Sequence, residues 1–231
     1  MRQLPLGVQL RLTSRFATFN PAGNEAAVAA LSDLRRGPAQ PAIWLAGPVG
    51  VGKSHLLQSA CAAAGEAGGA VAYLPLADES SRNPGLLGGL ETLDAVLIDD
   101  VDEVIGQRDW EQGLFRLYNE LQERGGRLLL ASQATPAASP IQLPDLASRL
   151  RASLVHVVAA LPEAGHAAAL LRRAEMLGLE LPPDTLAWLL RRAPRDYSAL
   201  CRLLDRLDLA ALAAQRRLTV PFVRSVLGEA D

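Results

Sequence analysis

The chain has 231 residues, 49% of them hydrophobic, and a formal net charge of −2. That charge argues against a generic basic nucleic-acid binder, and no apolar run approaches the roughly 20 residues that span a bilayer. The N-terminus also lacks the charged-then-apolar pattern of a secretory signal, so a cytoplasmic protein without membrane contact is expected.

Residues 1–18 carry no clear periodicity and read as an extended arm. Asn24 stands before an apolar-periodic run over 25–35 and is placed to cap that helix. A short buried strand, 43–46, leads into a glycine-rich loop, and the loop opens a helix over 54–64. A second strand is predicted over 71–76, then loop and turn over 80–89. The strand predicted at 95–100 is apolar and ends abruptly in two acids. Over 109–124, Trp110, Leu114, Leu117, Tyr118 and Leu121 recur on one helical face, and Gly125-Gly126 stops the helix. Two further strands are predicted at 127–132 and 155–158, with a short helix between them carrying Arg149. Strands alternating with helices predict an α/β fold, a parallel sheet with helices on both faces. Beyond Leu161-Pro162 only helices are predicted, over 163–177, 184–192, 196–215 and 221–227. Three parts are therefore expected: an arm over 1–15, an α/β domain over 16–160 and a small all-α domain over 161–231. Cys61 and Cys201 lie far apart in helical apolar stretches and read as buried, reduced thiols. His55, His156 and His166 show no ligand spacing, so no structural metal is expected.

The motif with the most chemical content is Gly47-Pro48-Val49-Gly50-Val51-Gly52-Lys53-Ser54. Lys53 is the only lysine of the chain; the other 22 basic residues are arginines. The pattern G-x-x-x-x-G-K-S is a P-loop, here between a predicted strand and a predicted helix. Its glycines let successive backbone N–H groups wrap phosphate oxygens, and the helix that follows points its positive end at them. A compact ammonium fits inside that wrap where a planar guanidinium is too broad. Pro48, Val49, Gly50, Val51, Gly52, Lys53, Ser54 and His55 are thus the expected nucleotide contacts, with the Ser54 hydroxyl on Mg²⁺. Asp99 and Asp100, closing an apolar strand, fit a Walker B element: Asp99 holds Mg²⁺ through water and Asp100 orients the attacking water. Ser132 and Gln133, ending the next strand, are placed beside a γ-phosphate. Arg149 reads either as a helix-end cap or as an arginine that reaches a neighbour's γ-phosphate. Arg195 reads as a surface residue or as a lid contact folding over the nucleotide. Gln3-Leu4-Pro5-Leu6 offers one amide and two apolar side chains to a partner pocket.

Taken together, these motifs resemble an AAA+ ATPase of the DnaA clade, and in particular its Hda branch of regulatory inactivators. The resemblance runs from Phe16-x-x-Phe19 and Asn24 to Leu218-Thr219-Val220-Pro221-Phe222-Val223. It implies a P-loop AAA+ sheet domain followed by a helical lid, with ADP or ATP and Mg²⁺ as cofactors. It further implies that Gln3, Leu4 and Leu6 dock on the DNA polymerase III sliding clamp (beta subunit). Arg149, within Leu143-Pro144-Asp145-Leu146-Ala147-Ser148-Arg149-Leu150, then acts in trans as an arginine finger on ATP held by the DnaA initiator. DNA contact would be indirect or weak, and a homodimer is open. Two departures bear on this chain's own hydrolysis: Gln133 stands where the family commonly has an acid, and Ser198 where DnaA has its second-sensor arginine. Both remove charge from the γ-phosphate end, so weak intrinsic ATPase activity is the expectation. Two other readings share the P-loop: a DnaA-like loader or initiation accessory ATPase, and a small-molecule P-loop kinase. Loss of clamp binding on deleting residues 1–10 separates the first, and turnover stimulated by a small phosphate acceptor would point to the second.

Overall fold

A computed structural model describes residues 14–32, 34, 42–192 and 196–228 of the chain. Its centre is a sheet of β1 (Ala42–Ala46), β2 (Val71–Pro75), β3 (Ala95–Asp99), β4 (Arg127–Ser132) and β5 (Leu154–Val157). The spatial order is β2-β3-β4-β1-β5, and every neighbouring pair runs parallel. The register pairs Ala46 with Ser132 and Pro75 with Asp99. The residues that follow β1, β3 and β4 therefore emerge along one carboxyl edge, where parallel sheets bind ligands.

Near-continuous apolar runs make these strands, because helices cover both faces and leave no face for water. Every residue of β1 and of β3 is buried. The two-residue period of a strand sorts the side chains into two cores. Trp44, Val96, Ile98, Leu128 and Leu130 pack with Leu114, Leu117, Leu146 and Leu150. Ile43, Leu45, Leu97 and Leu129 pack with Leu31, Leu56 and Leu57. One face thus carries α3 (Arg108–Arg124) and α4 (Pro144–Arg151), and the other α1 (Glu25–Ser32) and α2 (Lys53–Glu66). The predicted apolar face of α3 is buried at all five positions, and Gly125 ends the helix at φ 75°, a left-handed conformation that suits glycine.

Glu111 is buried on the same helix and has no apolar signature. Its carboxylate accepts the backbone N–H groups of Gly106, Gln142 and Leu143 at 2.6–3.1 Å. A buried carboxylate is tolerable because these donors solvate it. They also tether the segment that leads into α4, the helix bearing Arg149.

The remaining helices, α5 (Glu163–Met176), α6 (Pro183–Arg192), α7 (Tyr197–Ala214) and α8 (Val220–Leu227), enclose a third core of Leu170, Leu189, Leu200, Leu204, Leu207, Leu218 and Val223. The chain is thus a five-stranded parallel sheet flanked by helices and followed by a helical lid. Among the described residues, no helix is long and apolar enough to cross a membrane.

Local differences from the sequence reading have clear causes. Phe16–Thr18 is not extended but forms a 3-10 turn, in which the Thr18 hydroxyl donates to the Arg15 carbonyl at 2.6 Å. The stretch expected as loop and turn over 80–89 holds the 3-10 turns Glu79–Ser81 and Pro84–Leu87, and a third, Leu90–Thr92, follows it. The first two are capped by the side chains of Asp78 and Asn83, and Leu87 drops into the core beside α3. Asn24 precedes α1, and its backbone carbonyl accepts the N–H of Val28 at 3.0 Å, while its side chain turns elsewhere. That side chain forms a two-bond clamp on the backbone of Ala159, donating to the carbonyl at 3.1 Å and accepting the N–H at 2.8 Å. Cys61 is buried as expected, whereas Cys201 is only partly buried.

Candidate functional site

A cavity of about 440 Å³ opens at the carboxyl edge of the sheet, between the loop after β1 and the lid. The loop's shape requires its glycines. Gly50 and Gly52 adopt φ 87° and 104°, which L side chains rarely reach. A Cβ on Gly52 would stand 2.8 Å from the Phe19 ring, and one on Gly50 would stand 3.0 Å from an Asp196 oxygen and 3.1 Å from Ser198 Cβ. The loop is therefore pressed between the N-terminal turn and the start of α7. Lys53, at the first position of α2, is 5% exposed. Its Nζ donates to the carbonyl oxygens of Gly47 and Pro48 at 2.7 and 2.9 Å. Burial lowers the pKa of its ammonium, and the carboxylates of Asp100, Asp99 and Asp102 act in the opposite direction. A cation resting on backbone carbonyls, under a wrap of glycines with no room for a Cβ, fits a phosphate chain.

Asp99 and Asp100 both line the cavity. Asp99 ends β3 at 2% exposure, with both oxygens engaged. Tyr73 donates its hydroxyl to Oδ2 at 2.7 Å, and the Asp100 N–H lies 3.1 Å from Oδ1. Tyr73 in turn accepts from Gln58 at 3.1 Å, whose carbonyl accepts from the Ser14 hydroxyl at 2.9 Å. Asp100 sits in the left-handed region at φ 53°. Its pKa is pushed up to about 6, first by burial and then by the neighbouring Asp99, with Lys53 opposing the shift. An acid whose pKa is raised on folding destabilises the native state above the folded pKa. The penalty fades as pH falls from about 6 towards the ordinary 3.8 and is gone well below it, where the carboxyl is neutral in both states. Asp100→Asn is thus expected to raise stability at pH 8 and to leave it nearly unchanged at pH 4. Urea unfolding at the two pH values reads this out; an equal gain at both would rule out the charge explanation.

The structure corrects the expectation for the end of β4. Neither Ser132 nor Gln133 lines the cavity. The buried Ser132 hydroxyl donates to Asp102, and the Gln133 N–H donates to the same carboxylate at 2.8 Å. Asp102 holds this turn in place, while the Gln133 side chain is exposed. The cause is the short 3-10 turn Val101–Glu103 after β3, which brings Asp102 across to the neighbouring strand end.

Of the other predicted contacts, Val49, Gly50, Val51, Gly52, Lys53, Ser54 and His55 line the cavity, and Pro48 contributes only its carbonyl. His55 turns to the N-terminal segment: its Nε2 is 3.0 Å from the Arg15 carbonyl and 3.1 Å from the Thr18 hydroxyl, and its ring packs 5.7 Å from that of Phe19. Arg149 lies outside the cavity lining; it is exposed on α4 with its guanidinium 5.9 Å from the centre of the Tyr118 ring. Gln3, Leu4, Leu6 and Arg195 fall outside the described residues. Sequence reasoning missed Tyr73, Asp102 and two lid arginines that line the cavity, Arg173 and Arg202. None of the four carries a motif signal.

Two family models match adjoining parts of the chain. The bacterial DnaA ATPase domain matches residues 86–160 and the Hda lid domain residues 163–227. The chain belongs to the DnaA clade of AAA+ proteins and is most like Hda. Solved structures share the fold. Domain III of the Thermotoga maritima replication initiation protein DnaA is 24% identical, with TM-score 0.76 over 96% of this chain and 98% of that one. AMPPCP-bound DnaA from Aquifex aeolicus is 21% identical, with TM-score 0.69 over 89% and 68% of the two chains. The Thermotoga maritima RuvB Holliday junction branch migration motor is 18% identical, with TM-score 0.65 over 95% and 72%. In this DnaA-clade chain, the Hda-type lid covers the P-loop through Asp196 and Ser198. His166 ties α5 to the irregular segment that leads into it, with Nε2 2.9 Å from the Leu161 carbonyl.

Proposed function

We propose that this DnaA-clade protein is a nucleotide-binding regulator of chromosomal replication initiation that promotes hydrolysis of ATP bound to DnaA. The observation that carries the reading is the separation of two cationic groups. Lys53 is buried in the protein's own cavity, whereas Arg149 stands exposed on α4 and lines no part of it. An arginine so placed is free to serve a nucleotide held by another molecule, where it neutralises charge on the departing phosphate.

In this reading ADP or ATP occupies the P-loop cavity and serves chiefly to set the lid and sheet in one arrangement. The backbone N–H groups of 50–54 and the Lys53 ammonium hold the phosphates. Ser54 and Asp99 hold Mg²⁺, and because both Asp99 oxygens already accept hydrogen bonds, Asp99 acts through water. Asp100 orients water, and Arg195 folds over the nucleotide from the lid. Gln3, Leu4 and Leu6 dock on the DNA-loaded sliding clamp, which raises the effective concentration of Arg149 near DnaA. The absence of a charged side chain at Ser198, which lines the cavity, fits a protein that binds nucleotide more readily than it hydrolyses it.

The deciding experiment follows hydrolysis of labelled ATP bound to DnaA, with DNA-loaded clamp, in the presence and absence of this protein. Hydrolysis that needs both the protein and the clamp is the expected result. Intact nucleotide binding without any stimulation would remove the inactivator role and leave a loader or accessory ATPase.

A further inference from the structure

Arg149 and its helix are held at two points, and both supports come from α3. The first is Glu111, whose carboxylate is 1% exposed. It accepts the N–H groups of Gln142 and Leu143 at 2.6–3.1 Å, together with that of Gly106 at 2.8 Å. Leu143 is the N-cap of α4, and its own side chain caps nothing. The start of this helix is therefore fixed by an acid from another element. The second support is Tyr118, 4% exposed, with its ring centre 5.9 Å from the Arg149 guanidinium. Glu111 and Tyr118 stand two helical turns apart, so they share one face of α3 at a separation of about 10 Å. Along α4, Leu143 and Arg149 are about 9 Å apart. The two spans match, and Leu114 and Leu117 of α3 share a core with Leu146 and Leu150 of α4.

The kind of contact at the second point matters. A carboxylate would hold the guanidinium by its N–H groups and so occupy the fork that a phosphate needs. An aromatic face attracts the cation through its quadrupole and takes no N–H donor. Among the described residues Arg149 forms no ion pair. Its guanidinium is thus restrained in position while its donors stay open. An unrestrained exposed arginine samples many rotamers, and presenting one of them costs entropy at the moment of reaction. We propose that Glu111 and Tyr118 are positioning residues for Arg149. The carboxylate sets where α4 starts, the ring sets where the guanidinium stands, and the fork meets a phosphate held by another molecule already in place. Both roles rest on the reading of Arg149 as a finger that acts in trans.

The test is single-turnover hydrolysis of labelled ATP on DnaA with DNA-loaded clamp, followed over a range of concentrations of this protein. Tyr118→Leu keeps an apolar side chain at the buried position and removes the ring face. It is expected to lower the maximal rate about 10-fold, where a misplacement of about 1 Å can cost up to about 100-fold. The half-saturating concentration and the affinity for ADP are expected to stay within about twofold of the wild type. Tyr118→Phe retains the ring and is expected to restore the maximal rate to within about twofold. Glu111→Gln, which turns an amide N–H₂ towards backbone donors, is expected to show the same split between maximal rate and half-saturation. Should that variant fail to fold, the two Tyr118 variants decide. A maximal rate within about twofold of the wild type in Tyr118→Leu would overturn the inference. So would Tyr118→Phe as slow as Tyr118→Leu, or a loss confined to the half-saturating concentration, which would make Tyr118 part of the docking surface. Failure of the finger reading itself looks different: Arg149→Ala would then stimulate hydrolysis like the wild type.

Discussion

Lys53→Ala weakens ADP and ATP binding at least about 100-fold, the expected loss of charge-assisted hydrogen bonds from a buried cation. Lys53 is 5% exposed and its Nζ rests on the Gly47 and Pro48 carbonyls, so its positive charge is fixed at the loop. Its removal also leaves the acids at the cavity floor, Asp99 and Asp100, with less positive charge to offset them. Their field then falls on the phosphate chain and adds repulsion to the missing attraction. Lys53→Arg is expected to fail as well, because the planar guanidinium cannot enter a wrap in which even a Cβ on Gly52 would stand 2.8 Å from the Phe19 ring. Calorimetry of the two variants checks both statements. Affinity unchanged in Lys53→Ala would end the assignment of this loop as the phosphate site.

The second large effect is expected at Arg149, and it separates the protein's own nucleotide from the partner's. Arg149→Ala should leave ADP affinity, clamp binding and folding intact, because the side chain is exposed and lines no part of the cavity. Inside the protein the substitution removes the guanidinium from over Tyr118, 5.9 Å from the ring centre, a cation–π interaction of about 0.5–1 kcal/mol at an exposed site. Stimulation of DnaA-bound ATP hydrolysis, by contrast, should fall by about three orders of magnitude, the scale of arginine fingers supplied in trans. Arg149→Lys retains the charge but not the fork, and is expected to recover only a small part of the rate. Single-turnover hydrolysis with the clamp present reads both variants. Wild-type stimulation by Arg149→Ala would place the finger elsewhere.

Much of this molecule was legible in its sequence, and the reason is locality. The strand and helix periods, the glycines and lysine of the P-loop, and the acids closing β3 are each written within about ten consecutive residues. Backbone hydrogen bonding and side-chain alternation act over that same distance. A five-stranded parallel sheet with helices on both faces follows from such patterns, as does the position of Lys53, Asp99 and Asp100 on its carboxyl edge. What the tertiary structure alone decided are the partners that meet across the chain. Tyr73 reaches Asp99 across 26 residues and Asn24 reaches Ala159 across 135. Asp102 holds the turn at Ser132 and Gln133, and so withdraws from the cavity two residues that strand position alone would put there. Glu111, read locally, is one more acid on an amphipathic helix; only the loop before α4 shows what solvates it. Arg173 and Arg202 share a helical domain and a residue type, yet one donates to Asp205 and the other to Ser198. That difference depends on which helix packs against which, and packing joins residues whose separation along the chain carries no periodic signal.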